Sequence, residues 1–242
     1  MDREQLPMRI KGVLFDKDGT LFDFHRTWIP ILEDAALLAA QGDASLVPRL
    51  MAAGGHDHAT GRIASGSIIA AGNTPELAHL WISIVPGWVA EELTRQLDSL
   101  FVSQAPLRSE PVTDLPAFLG TLRKSGFRVG IATNDSEGSA LATVNRFGLG
   151  ELVEFQCGYD SGHGTKPAPG MVHAFCAAVG LAPEDVAVVG DNFHDLEMGQ
   201  AAGVGLRVGV LTGTSARSDL EPHAHFVIDS IAELPALLDG LH

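Results

Sequence analysis

Cysteine and positive charge are both scarce in this chain. Only Cys157 and Cys176 occur among 242 residues. They lack the paired spacing of a thiolate metal site, and two buried free thiols are expected rather than a disulfide. Lysine and arginine number 16 against 30 acids, a formal charge of −14. That balance excludes extended contact with a nucleic acid backbone or an anionic membrane, so an anionic ligand must be met by local positive charge. No apolar run is long enough for a signal peptide or a membrane span, and the first nine residues, MDREQLPMR, are polar. A cytoplasmic protein is expected. There is no HExxH zinc motif, no Walker-type glycine loop and no serine elbow. Between Phe24 and Gln104 there is no lysine at all.

What the chain does have is a recurring unit of short apolar run, turn and amphipathic stretch. The runs are IKGVLF (10–15), FRVGIA (127–132), LVEFQC (152–157), VAVVG (186–190), GLRVGVL (205–211) and HFVI (225–228). Strands covered on both faces read as continuous apolar runs, so these predict a parallel sheet. Helical stretches such as SALATVNRF (139–147) and PGMVHAFCAAV (169–179), each closed by a glycine, would wrap it. Residues 24–104 break the rhythm. WIPILEDAALLAA carries a helical apolar stripe, with Thr27 as a candidate cap and Pro30 in the first turn. Further helices are expected near 45–53, 74–82 and 87–102, separated by the loop GGHDHATGR and the segment SGSIIAAGNT. Trp28, Trp81 and Trp88 all fall in this part, as expected of a small helical core.

The stretch GVLFDKDGTL (12–21) puts Asp16 and Asp18 where a strand ends. Residues two apart on a strand point to one side, so the two carboxylates should face the same space. Such a pair is tolerated when a cation sits between the carboxylates or when one keeps its proton. Ligands of open parallel α/β sheets bind at the carboxyl ends of the strands. Reading past the other strands adds Thr133 and Asn134, then Lys166, then Asp191 and Asp195. Acids, a hydroxyl and one cation suit a phosphate ester together with a hard divalent cation. Alone, an Asp before Gly is a turn residue and a single Lys a solvated one.

DKDGT, ATN, KPAP and GDNFHD, in that order, resemble the four motifs of the haloacid dehalogenase-like hydrolases, and the helical part resembles the cap of their phosphoglycolate phosphatase-like branch. The resemblance implies a Rossmann-like, doubly wound parallel sheet core (1–23 and 105–242) with an inserted α-helical cap domain (24–104). It implies that Asp16 attacks phosphorus and forms an aspartyl-phosphate, and that Asp18 acts as acid and then as base. Thr133 and the Asn134 backbone N–H would hold phosphoryl oxygens, with Lys166, read as standing at a helix start, acting on the same anion. Asp16, Asp191 and the Asp18 carbonyl would hold Mg²⁺, supported by Asp195. Arg62, in the loop GHDHATGRIASG, is the candidate specificity residue for the leaving group; a solvated surface arginine is the competing reading.

Relatives that displace halide lack an acid at position 18, phosphonate-cleaving ones need a cap lysine, and P-type pumps carry threonine there. A phosphatase for a small phosphorylated metabolite, phosphoglycolate first, is therefore expected. A phosphomutase acting on a sugar phosphate, or a binding protein on a retired scaffold, are the alternatives. Two departures stand out: Gly170 follows KPAP where relatives carry an acid, and Phe24 replaces a small hydroxyl residue. His25, His56, His58, His163 and His194 are expected to be solvated loop histidines.

Overall fold

A computed structural model of the chain describes residues 10–241; the polar stretch at 1–9 lies outside them. Strand β1 (Gly12–Phe15) is followed by helices α1 (Phe24–Ala39) and α2 (Val47–Gly54). A small antiparallel hairpin comes next, β2 (His56–Asp57) with β3 (Arg62–Ile63), followed by helices α3 (Ile68–Ala71), α4 (Thr74–Ile82) and α5 (Ala90–Arg108). The rest alternates: α6 (Leu115–Lys124), β4 (Arg128–Ala132), α7 (Glu137–Arg146), β5 (Phe155–Cys157), α8 (Gly170–Val179), β6 (Val186–Gly190), α9 (Phe193–Ala202), β7 (Leu206–Val210), α10 (Arg217–Leu220), β8 (Phe226–Ile228) and α11 (Leu234–Asp239). No helix among the described residues is long and apolar enough to cross a membrane.

The six longer-range strands form one sheet in the order β5-β4-β1-β6-β7-β8, every pair parallel. All six apolar runs of the sequence are its strands. Alternation along β1 divides the core: Val13 and Phe15 pack with Phe118 and Leu119 of α6 on one face, and Leu14 packs with Met171 and Phe175 of α8 on the other. Helices on both faces make the sheet doubly wound. From β1 the chain moves outward through β4 and β5, then returns to β6 on the other side of β1. The point where strand order reverses is where such sheets open a ligand crevice. Register makes it level, since Phe15 lies beside both Ile131 and Val189.

The stretch between β1 and β4 has its own apolar cluster, which includes Leu50, Met51 and Trp81. Trp81 donates to the Leu50 carbonyl at 3.0 Å and Trp88 to that of Ala39 at 2.9 Å. Two details of α1 depart from expectation. Its cap is Asp23, whose carboxylate accepts from the Arg26 N–H at 2.9 Å; Thr27 is buried inside the helix, where its hydroxyl accepts from the Glu110 N–H at 3.2 Å. Pro30 is therefore the seventh helical residue and lies in the second turn. The loop GGHDHATGR folds as the β2–β3 hairpin, and IIAA within SGSIIAAGNT forms α3. Helix α5 passes through position 104 and packs along α7.

Where the chain enters and leaves the insert, its two segments lie side by side. Phe22 bridges Pro111 in antiparallel fashion, the Asp23 N–H donates to the Glu110 carbonyl at 2.8 Å and the Val112 N–H to that of Leu21 at 3.1 Å. Both cysteines are buried free thiols, and burial pushes Cys157 up to about 12.

Candidate active site

Asp16 follows β1 directly, Thr133 follows β4 and Asp191 follows β6, so the level strand ends deliver all three to one crevice. Asp16, Asp18, Thr133, Asn134, Lys166, Asp191 and Asp195 all line it. The loop after β1 is tight: the Leu21 N–H reaches back to the Lys17 carbonyl at 2.9 Å, and Gly19 takes φ +93°. A Cβ on Gly19 would lie 2.5 Å from Asp191 Cγ, and one on Gly213 1.8 Å from Asp191 Oδ2. Asp191 is thus packed between two glycines, and its Oδ2 accepts from the Thr214 N–H at 2.9 Å.

Lys166 is almost fully buried, and its Nζ donates to Asp16 Oδ1 and to Asp195 Oδ1, both at 2.6 Å. It does not stand at a helix start. It lies in a turn four residues ahead of α8, so no helix N-terminus acts with it. Its aim is set by Asn134, whose Oδ1 accepts from the Lys166 N–H at 3.0 Å, and by Asp195. Asp195 also caps α9 by accepting from the Asn192 N–H at 3.0 Å. The acid missing at position 170 is therefore replaced by partners elsewhere. Any side chain at 170 would collide with the His163 carbonyl, 2.0 Å from a Cβ.

Carboxylate oxygens of Asp16, Asp191 and Asp195 lie within 4.8 Å of one another. Fully ionised, they carry three negative charges against the single positive charge of Lys166, leaving two in excess. Burial accordingly lifts Asp16 to about 6 against the pull of Lys166, and lifts Asp191 well above the usual carboxylate range, with Asp16 and Asp195 adding repulsion. Asp16 Oδ2 is buried without a partner. An oxygen-only donor set with two uncompensated charges fits a hard divalent cation. Asp18 does not belong to that group by its side chain, nor does any histidine among the described residues.

Asp16 and Asp18 coexist for a reason the sequence reading missed: each has its own lysine. The Lys17 side chain is fully buried, and its Nζ lies 2.6 Å from Asp18 Oδ2, 3.1 Å from Asp135 Oδ2 and 5.4 Å from the Trp28 ring centre. Asp18 Oδ1 keeps no partner. Thr133 Oγ1 accepts from the Asp135 N–H at 3.1 Å, which leaves its own hydrogen to donate. Asn134 Nδ2 donates to the Ala71 carbonyl at 2.7 Å and so ties the crevice to the insert. Ser65 and Ser215 at 2.8 Å, and the Tyr159 hydroxyl on Asp98 at 2.7 Å, add two more ties.

The insert faces the crevice with Phe24, Trp28, Leu32, the Ile68–Thr74 stretch, Leu77 and Phe101. Trp28 therefore belongs both to the helical core and to the crevice wall. The loop expected to meet the leaving group is not what lines it. Arg62 is exposed on β3 and is not among the lining residues; the wall is made by the apolar stretch that follows. Two histidines expected in solvent are elsewhere: His56 is buried on β2, and His194 is half-buried on α9 at the crevice, where desolvation depresses its pKa. His25 is half-buried within α1, whereas His58 and His163 are exposed.

The family model of the haloacid dehalogenase-like hydrolases matches residues 10–203. The chain is 27% identical over 238 residues to the N-acetylmuramic acid 6-phosphate phosphatase of Pseudomonas aeruginosa, covering 96% of each. It is 30% identical over 249 residues to a phosphoglycolate phosphatase of Cereibacter sphaeroides, covering 95% of this chain and 98% of that one. A hydrolase from Pseudomonas syringae superposes with a TM-score of 0.70 at 19% identity, over 96% of this chain and 98% of the other. With the family model spanning both the first strand end and the turn into α9, the chain belongs to the haloacid dehalogenase-like hydrolases.

Proposed function

We propose that the protein is a Mg²⁺-dependent phosphatase that hydrolyses a small phosphate monoester through an aspartyl-phosphate on Asp16. The observation that carries this reading is the state of Asp16: Lys166 holds one of its oxygens, and the other is buried and free. In the first step the free oxygen bonds to phosphorus as the bond to the leaving oxygen breaks, and Asp18 gives that oxygen a proton. In the second, Asp18 takes a proton from water, the water oxygen bonds to phosphorus, and the bond to Asp16 breaks to restore its carboxylate and release phosphate. Lys166 fixes Asp16 and offsets charge on the phosphoryl group, and the Thr133 hydroxyl donates to a phosphoryl oxygen. Asp18 has one oxygen on Lys17 and one without a partner, which leaves a site for the travelling proton. Asp16, Asp191 and Asp195 would hold Mg²⁺, with the Asp18 carbonyl as a further ligand. When bound, the ion supplies the positive charge this cluster lacks and orients phosphoryl oxygens.

Residues 24–104 act in this reading as the cap that excludes water from the phosphoenzyme. The relatives' names leave two kinds of leaving group open, glycolate and the acidic amino sugar N-acetylmuramic acid. Phosphate release from p-nitrophenyl phosphate with Mg²⁺, compared between the wild type and Asp16→Asn, tests the reading. We expect turnover in the first and none in a folded second; full activity in Asp16→Asn would refute it.

A further inference from the structure

The insert's contribution to the crevice contains no charged side chain. Phe24, Trp28, Leu32, Ile68, Leu77 and Phe101 supply an apolar wall, and Asn73 and Thr74 are its polar members. The only lysine lining the space is Lys166, and both its close partners are carboxylates. Five aspartates line the same space, namely Asp16, Asp18, Asp135, Asp191 and Asp195. A carboxylate on the leaving group would meet an apolar wall on one side and acids on the other. Moving an ionised carboxylate from water into such a place without a partner is strongly unfavourable.

Neutral hydrogen-bonding groups are available in its place. Trp28 and Asn192 are more than nine-tenths buried and line the crevice, and Trp28 Nε1 and Asn192 Nδ2 have no partner. His194 Nδ1, also at the crevice, is buried without one too. Buried polar groups are rarely left unmatched, so these atoms call for acceptors and donors on a ligand.

We infer that the leaving group is uncharged and polyhydroxylated, a sugar or polyol that lays its C–H face on the apolar wall and offers hydroxyl or carbonyl groups to Trp28, Asn192 and His194. This rests on the phosphatase reading above, and it disfavours both leaving groups named there, since glycolate and N-acetylmuramic acid each carry a carboxylate.

Matched esters that differ by one charge test it. With wild-type enzyme and Mg²⁺, kcat/KM should favour glycerol 3-phosphate over 3-phosphoglycerate, and 2-hydroxyethyl phosphate over 2-phosphoglycolate, by about 10-fold or more, one decade corresponding to about 1.4 kcal/mol. Equal values, or preference for the carboxylate of either pair, would overturn the inference. Trp28→Phe keeps the ring and removes the N–H. It should lower kcat/KM for glycerol 3-phosphate about 3- to 10-fold more than for ethyl phosphate, which has no second oxygen to accept it. Equal losses on both esters would remove Trp28 from the account and overturn it as stated. Turnover of p-nitrophenyl phosphate distinguishes the levels: with it intact, a failed pair preference overturns this inference alone, whereas no turnover of any ester overturns both.

Discussion

Replacing Lys17 with methionine keeps an unbranched side chain, one atom shorter, and removes its charge. In the native protein the ammonium sits 2.6 Å from one carboxylate oxygen and 3.1 Å from another, with none of its side chain exposed. At an effective dielectric constant of about 20, those attractions are about 6 and about 5 kcal/mol, set against a desolvation penalty of several kcal/mol. Removing one member of a buried ionic group typically destabilises by about 3 to 5 kcal/mol, because the remaining charges stay buried without compensation. For a chain of this size each kcal/mol shifts Tm by about 2 to 4 °C, so a fall of about 6 to 20 °C is expected. The deficit should depend on pH. Burial already raises the pKa of Asp135, with Lys17 opposing the rise, and the substitution lifts it further. A carboxyl whose folded-state pKa exceeds its unfolded value binds protons preferentially in the folded state, so it loses stability as pH rises through that interval. The Tm difference between variant and wild type should therefore be largest near pH 8 and shrink toward pH 5.5. Thermal melts followed by circular dichroism at the two pH values measure this. A loss below about 3 °C at pH 8, or a deficit that grows on acidification, would refute the reasoning.

Mg²⁺ should raise the Tm of the wild type, by the equivalent of about 2.7 kcal/mol at a concentration 100 times its Kd, and chelation should stop turnover. Gly213→Ala places a Cβ against Asp191 Oδ2; a folded Gly213→Ala protein should lose the Mg²⁺-dependent shift, and retention of the full shift would count against Asp191 as a ligand. Arg62→Ala should change kcat/KM for glycerol 3-phosphate by no more than about twofold, as substitutions at exposed positions usually do. A tenfold fall would show that the hairpin reaches the substrate.

Much of this was legible in the sequence because burial on both faces leaves contiguous apolar runs. VAVVG is β6 from end to end, while IKGVLF and LVEFQC were trimmed at their starts to β1 and β5. The acids at strand ends were legible for the same reason, since a buried strand stops where a polar residue can reach the crevice. What was hidden depends on tertiary partners. Lys17 lies between two motif acids, yet its role needs Asp135, 118 positions away, and the Trp28 ring. Asp23 caps α1 one turn before the apolar stripe becomes plain, which is why Thr27 was the more visible candidate. Two-residue strands such as β2 and β3 leave no periodicity to read. The part of the crevice wall supplied by IIAA was hidden too, because its apolar character reads as core in any linear reading.

The antiparallel join of Leu21–Asp23 with Glu110–Val112 bears on how the chain folds. Asp23 and Glu110 are bonded neighbours, although the 86 residues from Phe24 to Ser109 lie between them. Bringing the ends of such a long excursion together before it is structured carries a loop-closure entropy about 2.7 kcal/mol greater than that of a four-residue turn, from the logarithmic dependence on length. Prior folding of the excursion around its own apolar cluster would leave its ends already adjacent. β1 would then reach β4 through what is effectively a short β-α-β crossover over α6, and this central parallel pair of the sheet would form as a local contact.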